Sequence, residues 1–248
     1  MTNYEAPKDL LKDKVILVTG ASTGVGAAVA ESAAALGATV ILLARRVKWL
    51  EKVYDRILAA GGAEPAIMPM DLSVAGEHEF NHAASVVERQ LKRLDGIVHC
   101  AALDDQLSPM EMDSVDNYVK RLRVNTVAPF ALTKAFLPLL KNADNASIIL
   151  TSESHTAAPQ AYWTGNSSTR LAAEHAALGW AQEWERFDNL RVNIVVPGPI
   201  NSPFRGRTHP GEDRERLPTV ASVVPTYLYL LGADSKDVRG QRIQVHGA

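Results

Sequence analysis

Three short stretches hold residues whose types and spacing could do chemistry. The first is TGASTGVG, residues 19–26, with glycines at 20, 24 and 26. Glycine reaches positive φ without strain, and its missing Cβ lets backbone N–H groups approach a pyrophosphate at a helix N-terminus. Gly20, Ser22, Thr23, Gly24, Val25 and Gly26 are therefore candidates to cradle a dinucleotide. The second is Arg45 and Arg46, about twenty residues on, where such sites read the ribose. Asp or Glu there would accept from a 2′-hydroxyl, whereas arginine suits a 2′-phosphate, so NADP is expected over NAD. The alternative is that both arginines are simply solvated at a strand end. The third is AYWTGNSSTRLAAEHA, residues 161–176, preceded by Glu153 and His155. Tyr162, Asn166 and Arg170 recur at steps of four, the spacing that shares one face wherever the chain is helical. An amide can orient a carbonyl but exchanges no proton near neutral pH, and no lysine occurs between Lys141 and Lys236.

The elements that must position these residues alternate regularly. Apolar, β-branched runs at 14–20, 39–45, 66–71, 96–102, 147–152 and 191–198 read as buried strands, with a last strand at 239–247. Helical spacing occupies 26–38, 48–60, 79–94, 115–140 and 169–186. Strands apolar on both faces and separated by helices imply an α/β fold, a doubly wound parallel sheet of Rossmann type in three α/β/α layers. All 248 residues fit one domain. Residues 201–219, rich in Pro, Gly and charge, are expected to form a mobile loop beyond a strand end, shaping the substrate site.

Composition narrows the function classes. A formal net charge of -2 argues against non-specific nucleic-acid binding. No apolar run approaches the ~18 residues that suggest a membrane span. The charged start, MTNYEAPKDLLKDK, lacks the apolar core of a signal peptide, so a cytoplasmic protein is expected. The single cysteine, Cys100, excludes an intrachain disulfide, and the histidines show no metal-binding spacing, so no metal is expected. Trp163, Trp180 and Trp184 are expected to pack a helix face, and His155 to be solvated on a loop.

With these motifs in hand, the chain resembles the short-chain dehydrogenase/reductase family over nearly its full length, most of all a bacterial oxidoreductase subgroup. MDLS matches the family's adenine-contacting step, implying Asp71 and Leu72. VHCAA stands where VNNAG is usual and implies backbone contacts from Ala101 and Ala102. RVNTVAPFALTKAFLPLL resembles the central helix, and its Asn125 matches the asparagine of a water-linked proton relay. VVPGPINSPF implies that Pro197, Gly198, Ile200 and Ser202 border the nicotinamide carboxamide. The resemblance also implies a homodimer or homotetramer built on the helices at 115–140 and 169–186.

The family's proton relay is a Ser, a Tyr thirteen residues later and a Lys four beyond that. The Tyr passes a proton while the Lys lowers its pKa and holds the ribose. The same register here gives Glu153, Asn166 and Arg170. Arg170 could still hold the ribose, and an ion pair between Glu153 and Arg170 is expected. Losing a positioned proton donor costs ~10²–10⁴ in rate. Three readings follow: an NADP(H)-dependent oxidoreductase with an altered site acting on an unknown small molecule, a non-catalytic NADP(H)-binding or sensing protein, and a redox-neutral enzyme using Glu153. In the first and third, Glu153 serves as a new acid or base, with Tyr162 or His155 assisting.

Overall fold

The computed structural model describes residues 3–103 and 107–247. Seven parallel strands form one sheet in the order β3-β2-β1-β4-β5-β6-β7. They are β1 Val15–Thr19, β2 Thr39–Ala44, β3 Ala66–Pro69, β4 Gly96–His99, β5 Ala146–Thr151, β6 Leu190–Val196 and β7 Arg242–Gln244. The first three strands step outward, and the fourth returns beside the first. That reversal makes β1 and β4 a switch point, where the carboxyl ends of a parallel sheet open a crevice.

Strand side chains alternate between the two faces, and each face has its own core. Val15 and Leu17 of β1 pack into one apolar cluster with Phe80 and Phe136. Ile16 and Val18 pack into the other with Val29 and Tyr227. The helices over these faces are α1 Gly24–Ala35, α2 Val47–Ala59, α3 Glu77–Leu91, α4 Val115–Leu122, α5 Ala128–Asn142, α6 Thr164–Glu183, α7 Pro203–Thr208 and α8 Val224–Leu231.

Four features depart from the sequence expectations. The helix expected at 115–140 widens into a π-turn at Arg123–Val127, between α4 and α5. Pro129 has no N–H to give the Asn125 carbonyl, so the regular ladder cannot continue there. Helix α6 begins at Thr164, five residues before the sequence expectation at 169. Its first turns are rich in hydroxyls, and Ser167 Oγ, Ser168 Oγ and Thr169 Oγ1 donate back to the carbonyls of Trp163, Thr164 and Gly165. Such residues read as poor helix formers in sequence. The stretch 201–219 contains α7, capped by Ser202 Oγ accepting from Arg205 N at 3.2 Å. Its ends are tied by a bridge between Asn201 and Thr219. Finally, the apolar α8 was not anticipated; it is buried against α1 and β5.

Candidate active site

The turn from β1 to α1 has the geometry that its glycines foretell. Gly20 and Gly24 sit at φ of +66° and +58°, and a Cβ on Gly20 would come within 2.8 Å of Ala101 N. A Cβ on Gly26 would overlap the Gly20 carbonyl oxygen. Thr23 caps α1 without a side-chain hydrogen bond. The first-turn N–H groups therefore face outward for an anionic acceptor. Thr19 Oγ1 accepts from Ala101 N at 3.1 Å and ties the ends of β1 and β4 together.

One cavity of about 530 Å³ runs along the carboxyl edge of the sheet. The β1–α1 turn contributes Gly20, Ser22, Thr23, Gly24, Val25 and Gly26. Arg45 and Arg46 follow at the end of β2, Asp71 and Leu72 after β3, and Ala101 and Ala102 after β4. Glu153, Arg170, Pro197, Gly198, Ile200 and Ser202 line the opposite part. The Asp71 carboxyl lies below its ordinary range: burial pushes it up, but hydrogen bonds from Ser73 Oγ and N, at 2.7 and 2.9 Å, outweigh that with help from Arg45. Arg46 packs its guanidinium 5.5 Å from the centre of the Trp49 ring.

Three sequence candidates stand apart from the cavity wall. Asn125 turns its side chain into the structure, where Oδ1 accepts from Leu103 N at 2.8 Å and Nδ2 donates to Thr169 Oγ1 at 3.0 Å. It splices the segment after β4 to α6. Asn166 is buried in the first turn of α6 and is not among the lining residues. It shares a helix face with Arg170, but a short amide does not cross the space a phenol would. Tyr162 is 58% exposed, with φ of 71°, and it too lies off the wall.

The expected ion pair between Glu153 and Arg170 does not form. Glu153 Oε2 instead accepts from His155 N at 3.0 Å and lies 2.7 Å from His155 Nδ1. The local turn after β5 brings imidazole and carboxylate together at a separation of two residues, closer than any partner on α6. Glu153 Oε1 is buried, with no hydrogen-bond partner among the described residues. The backbone of this turn is fixed from behind. Arg242 Nη2 donates to Glu153 O at 3.1 Å while Arg242 Nε pairs with Glu174 Oε2 at 3.0 Å.

His155 is not solvated as the sequence suggested. Its ring stacks on Trp163 with centroids 3.9 Å apart and planes 15° from parallel. Trp163 is itself 4% exposed and lines the cavity, where helix-face packing alone was expected. Phe204 meets it edge-on at 6.2 Å and His209 lies at 6.0 Å, both from the 201–219 segment. The Arg170 guanidinium sits 5.7 Å from the Phe204 ring centre. Sequence reading missed this aromatic wall. The sequence expectation started the helix at 169, so nothing local put Trp163 at the helix entrance beside the cavity.

Behind the cavity, Cys100 Sγ lies 3.2 Å from Thr151 Oγ1, which lies 3.0 Å from the Tyr227 hydroxyl. Burial pushes the Cys100 thiol up to about 12 and the Tyr227 phenol well above its ordinary value. Both groups hold their protons through the neutral range; Cys100 and Thr151 line the cavity, and Tyr227 backs them from the core. Among the described residues, no three His, Cys, Asp or Glu side chains gather as metal ligands. No described helix is long and apolar enough to cross a membrane.

With the geometry established, comparison with known proteins identifies its relatives. The short chain dehydrogenase family profile matches residues 14–213. The uncharacterized oxidoreductase YciK of Escherichia coli K12 is 35% identical over 238 residues, covering 96% of this chain and 94% of its own. A short chain dehydrogenase structure from Pseudomonas syringae superposes with a TM-score of 0.95 at 36% identity, covering 98% and 99% of the two chains. A Shigella flexneri short chain dehydrogenase complexed with NADP gives 0.93 at 34% identity, covering 96% and 99%.

Proposed function

The chain belongs to the short chain dehydrogenase family, and from that premise we propose that it binds NADP(H) along the carboxyl edge of its sheet and works as an oxidoreductase with a rebuilt proton-transfer site. The carrying observation is the cavity itself. A glycine turn at a helix N-terminus, an arginine pair and the β4, β5 and β6 ends all line one continuous space. The Gly20–Gly26 turn suits the pyrophosphate, Arg45 and Arg46 the 2′-phosphate, and Asp71 and Leu72 the adenine. Pro197, Gly198, Ile200 and Ser202 suit the carboxamide. Bound NADP(H) supplies or accepts hydride. Arg170 holds ribose hydroxyls and adds positive charge, the part of the family lysine's role that a guanidinium can keep. Asn125 acts through position, holding Leu103 and Thr169 in place.

The alternatives of a sensing protein and a redox-neutral enzyme gain no support from the relatives, one of which is an oxidoreductase by name and another complexed with NADP. We also infer a homodimer through α4, α5 and α6. Val127, Phe130 and Leu171 on that surface are 49%, 49% and 48% exposed.

Fluorescence titration with NADPH and NADH tests the cofactor reading. NADPH is expected to bind more tightly than NADH. Replacing Arg45 and Arg46 together by Ala should weaken NADPH by ~10–100-fold, the worth of one or two charge-assisted hydrogen bonds, and leave NADH unchanged. Equal loss for both nucleotides would reject the assignment of the arginines.

A further inference from the structure

We propose that Glu153 and His155 form the proton-transfer pair of this cavity, with His155 Nε2 as the group that protonates the oxygen of an aldehyde or ketone. The proposal rests on the reading that the cavity binds NADP(H). Three observations carry it. First, the pair is built rather than incidental. Glu153 Oε2 holds both the backbone N–H and Nδ1 of His155, and the ring is clamped on Trp163. Second, the carboxylate on Nδ1 fixes the tautomer and leaves Nε2 to work. Among the described residues Nε2 makes no hydrogen bond, and the side chain keeps 17% exposure in the cavity wall. Third, the pair sits at the end of β5, lining the same part of the cavity as Pro197, Gly198, Ile200 and Ser202. A carboxylate that orients an imidazole and stabilises its cation is a general solution for proton transfer.

The step balances without a further reactant. As the carbonyl carbon gains the hydride that NADPH supplies, the C=O π pair moves to oxygen, and oxygen takes the proton from Nε2 of the imidazolium. His155 is left neutral, with Nδ1–H still on the Glu153 carboxylate, and solvent returns the proton. Alcohol oxidation runs the same path backward. Among the described residues, the charged groups around the ring are Glu153 on its own turn, and His209 with the Arg205–Glu212 pair from the α7 segment, 2.5 Å apart. Glu174 and Arg242 lie behind the turn, and Arg170 on α6.

Benzaldehyde and nitrobenzaldehyde are the probes. With the full-length protein and saturating NADPH, both aldehydes should be reduced. His155→Gln should lower kcat/KM by ~10²-fold or more, with NADPH affinity retained. Glu153→Gln should lose activity to a similar order. NMR of the imidazole gives a readout besides turnover: the Nδ1–H of His155 should be seen held on the carboxylate in the wild type and lost in Glu153→Gln. A wild type that binds NADPH but reduces neither aldehyde overturns the pair and leaves the cofactor reading standing, as does a His155→Gln protein with wild-type kcat/KM. Failure to bind NADPH overturns both. Should a variant not fold, the wild-type spectrum decides, and a neutral ring carrying its proton on Nε2 with Nδ1 bare rejects the pair.

Discussion

At the scale of single residues, small changes of side-chain size and charge decide what this site can do. Gly26 shows how strictly the β1–α1 turn is specified. Its Cβ would occupy the place of the Gly20 carbonyl oxygen, and backbone cannot move aside as a flexible side chain can. Gly26→Ala is expected to lower stability by about 1–3 kcal/mol and weaken NADPH binding, measured by thermal unfolding and fluorescence titration. Gly24 has more room, since a Cβ there meets only Pro203 Cδ at 3.7 Å, so only its positive φ opposes substitution. On the proposed reading, Glu153, Asn166 and Arg170 matter through chemistry instead of space. Asn166 offers no proton near neutral pH, and the Glu153 carboxylate holds the neighbouring imidazole.

At the scale of elements, the strands are joined by more than their ladders. Asp95 precedes β4, with a 1% exposed side chain, and accepts from Val15 N at 2.9 Å, Arg93 at 2.7 and 2.8 Å, and Lys14 at 3.2 Å. Burial pushes this carboxyl up, yet Arg93, the Val15 N–H and Lys14 together hold it below its ordinary range. A carboxyl depressed in the folded state stabilises the fold above its unfolded pKa, and that contribution is lost as pH falls through the folded value. Asp95→Asn should therefore cost about 1–2 kcal/mol at neutral pH, since Arg93 and Lys14 are partly solvated, with the gap to wild type closing as pH drops below the carboxylate range. Denaturant unfolding at several pH values checks both parts. A gap independent of pH would mean that the lost interaction is not electrostatic.

At the scale of the whole molecule, the proposed dimer would use exposed apolar side chains on α4, α5 and α6. Val115 and Val119 on α4, Phe130 on α5 and Leu171 on α6 are 78%, 43%, 49% and 48% exposed. Solitary exposed apolar residues are ordinary, but several on helices that pack together suit an interface. Sedimentation is expected to show a dimer or a higher even-numbered state. Phe130→Glu with Leu171→Glu should shift it to monomer, while NADPH still binds. A wild type monomeric at high concentration would reject this surface as the interface.

Continuous apolar runs, glycine stops and the TGASTGVG spacing were enough to specify a doubly wound parallel sheet and most of its cavity lining, because each is a local rule acting over a few residues. Of the three positions that the same reading singled out, Glu153 and Arg170 reach the cavity wall and Asn166 does not. The partner of Glu153, the burial of His155 against Trp163 and the approach of Phe204 and His209 were decided only by tertiary structure. Those contacts join the end of β5, the start of α6 and the α7 segment. Whether a carboxylate turns to an arginine or a histidine depends on which comes within hydrogen-bond reach when the chain packs.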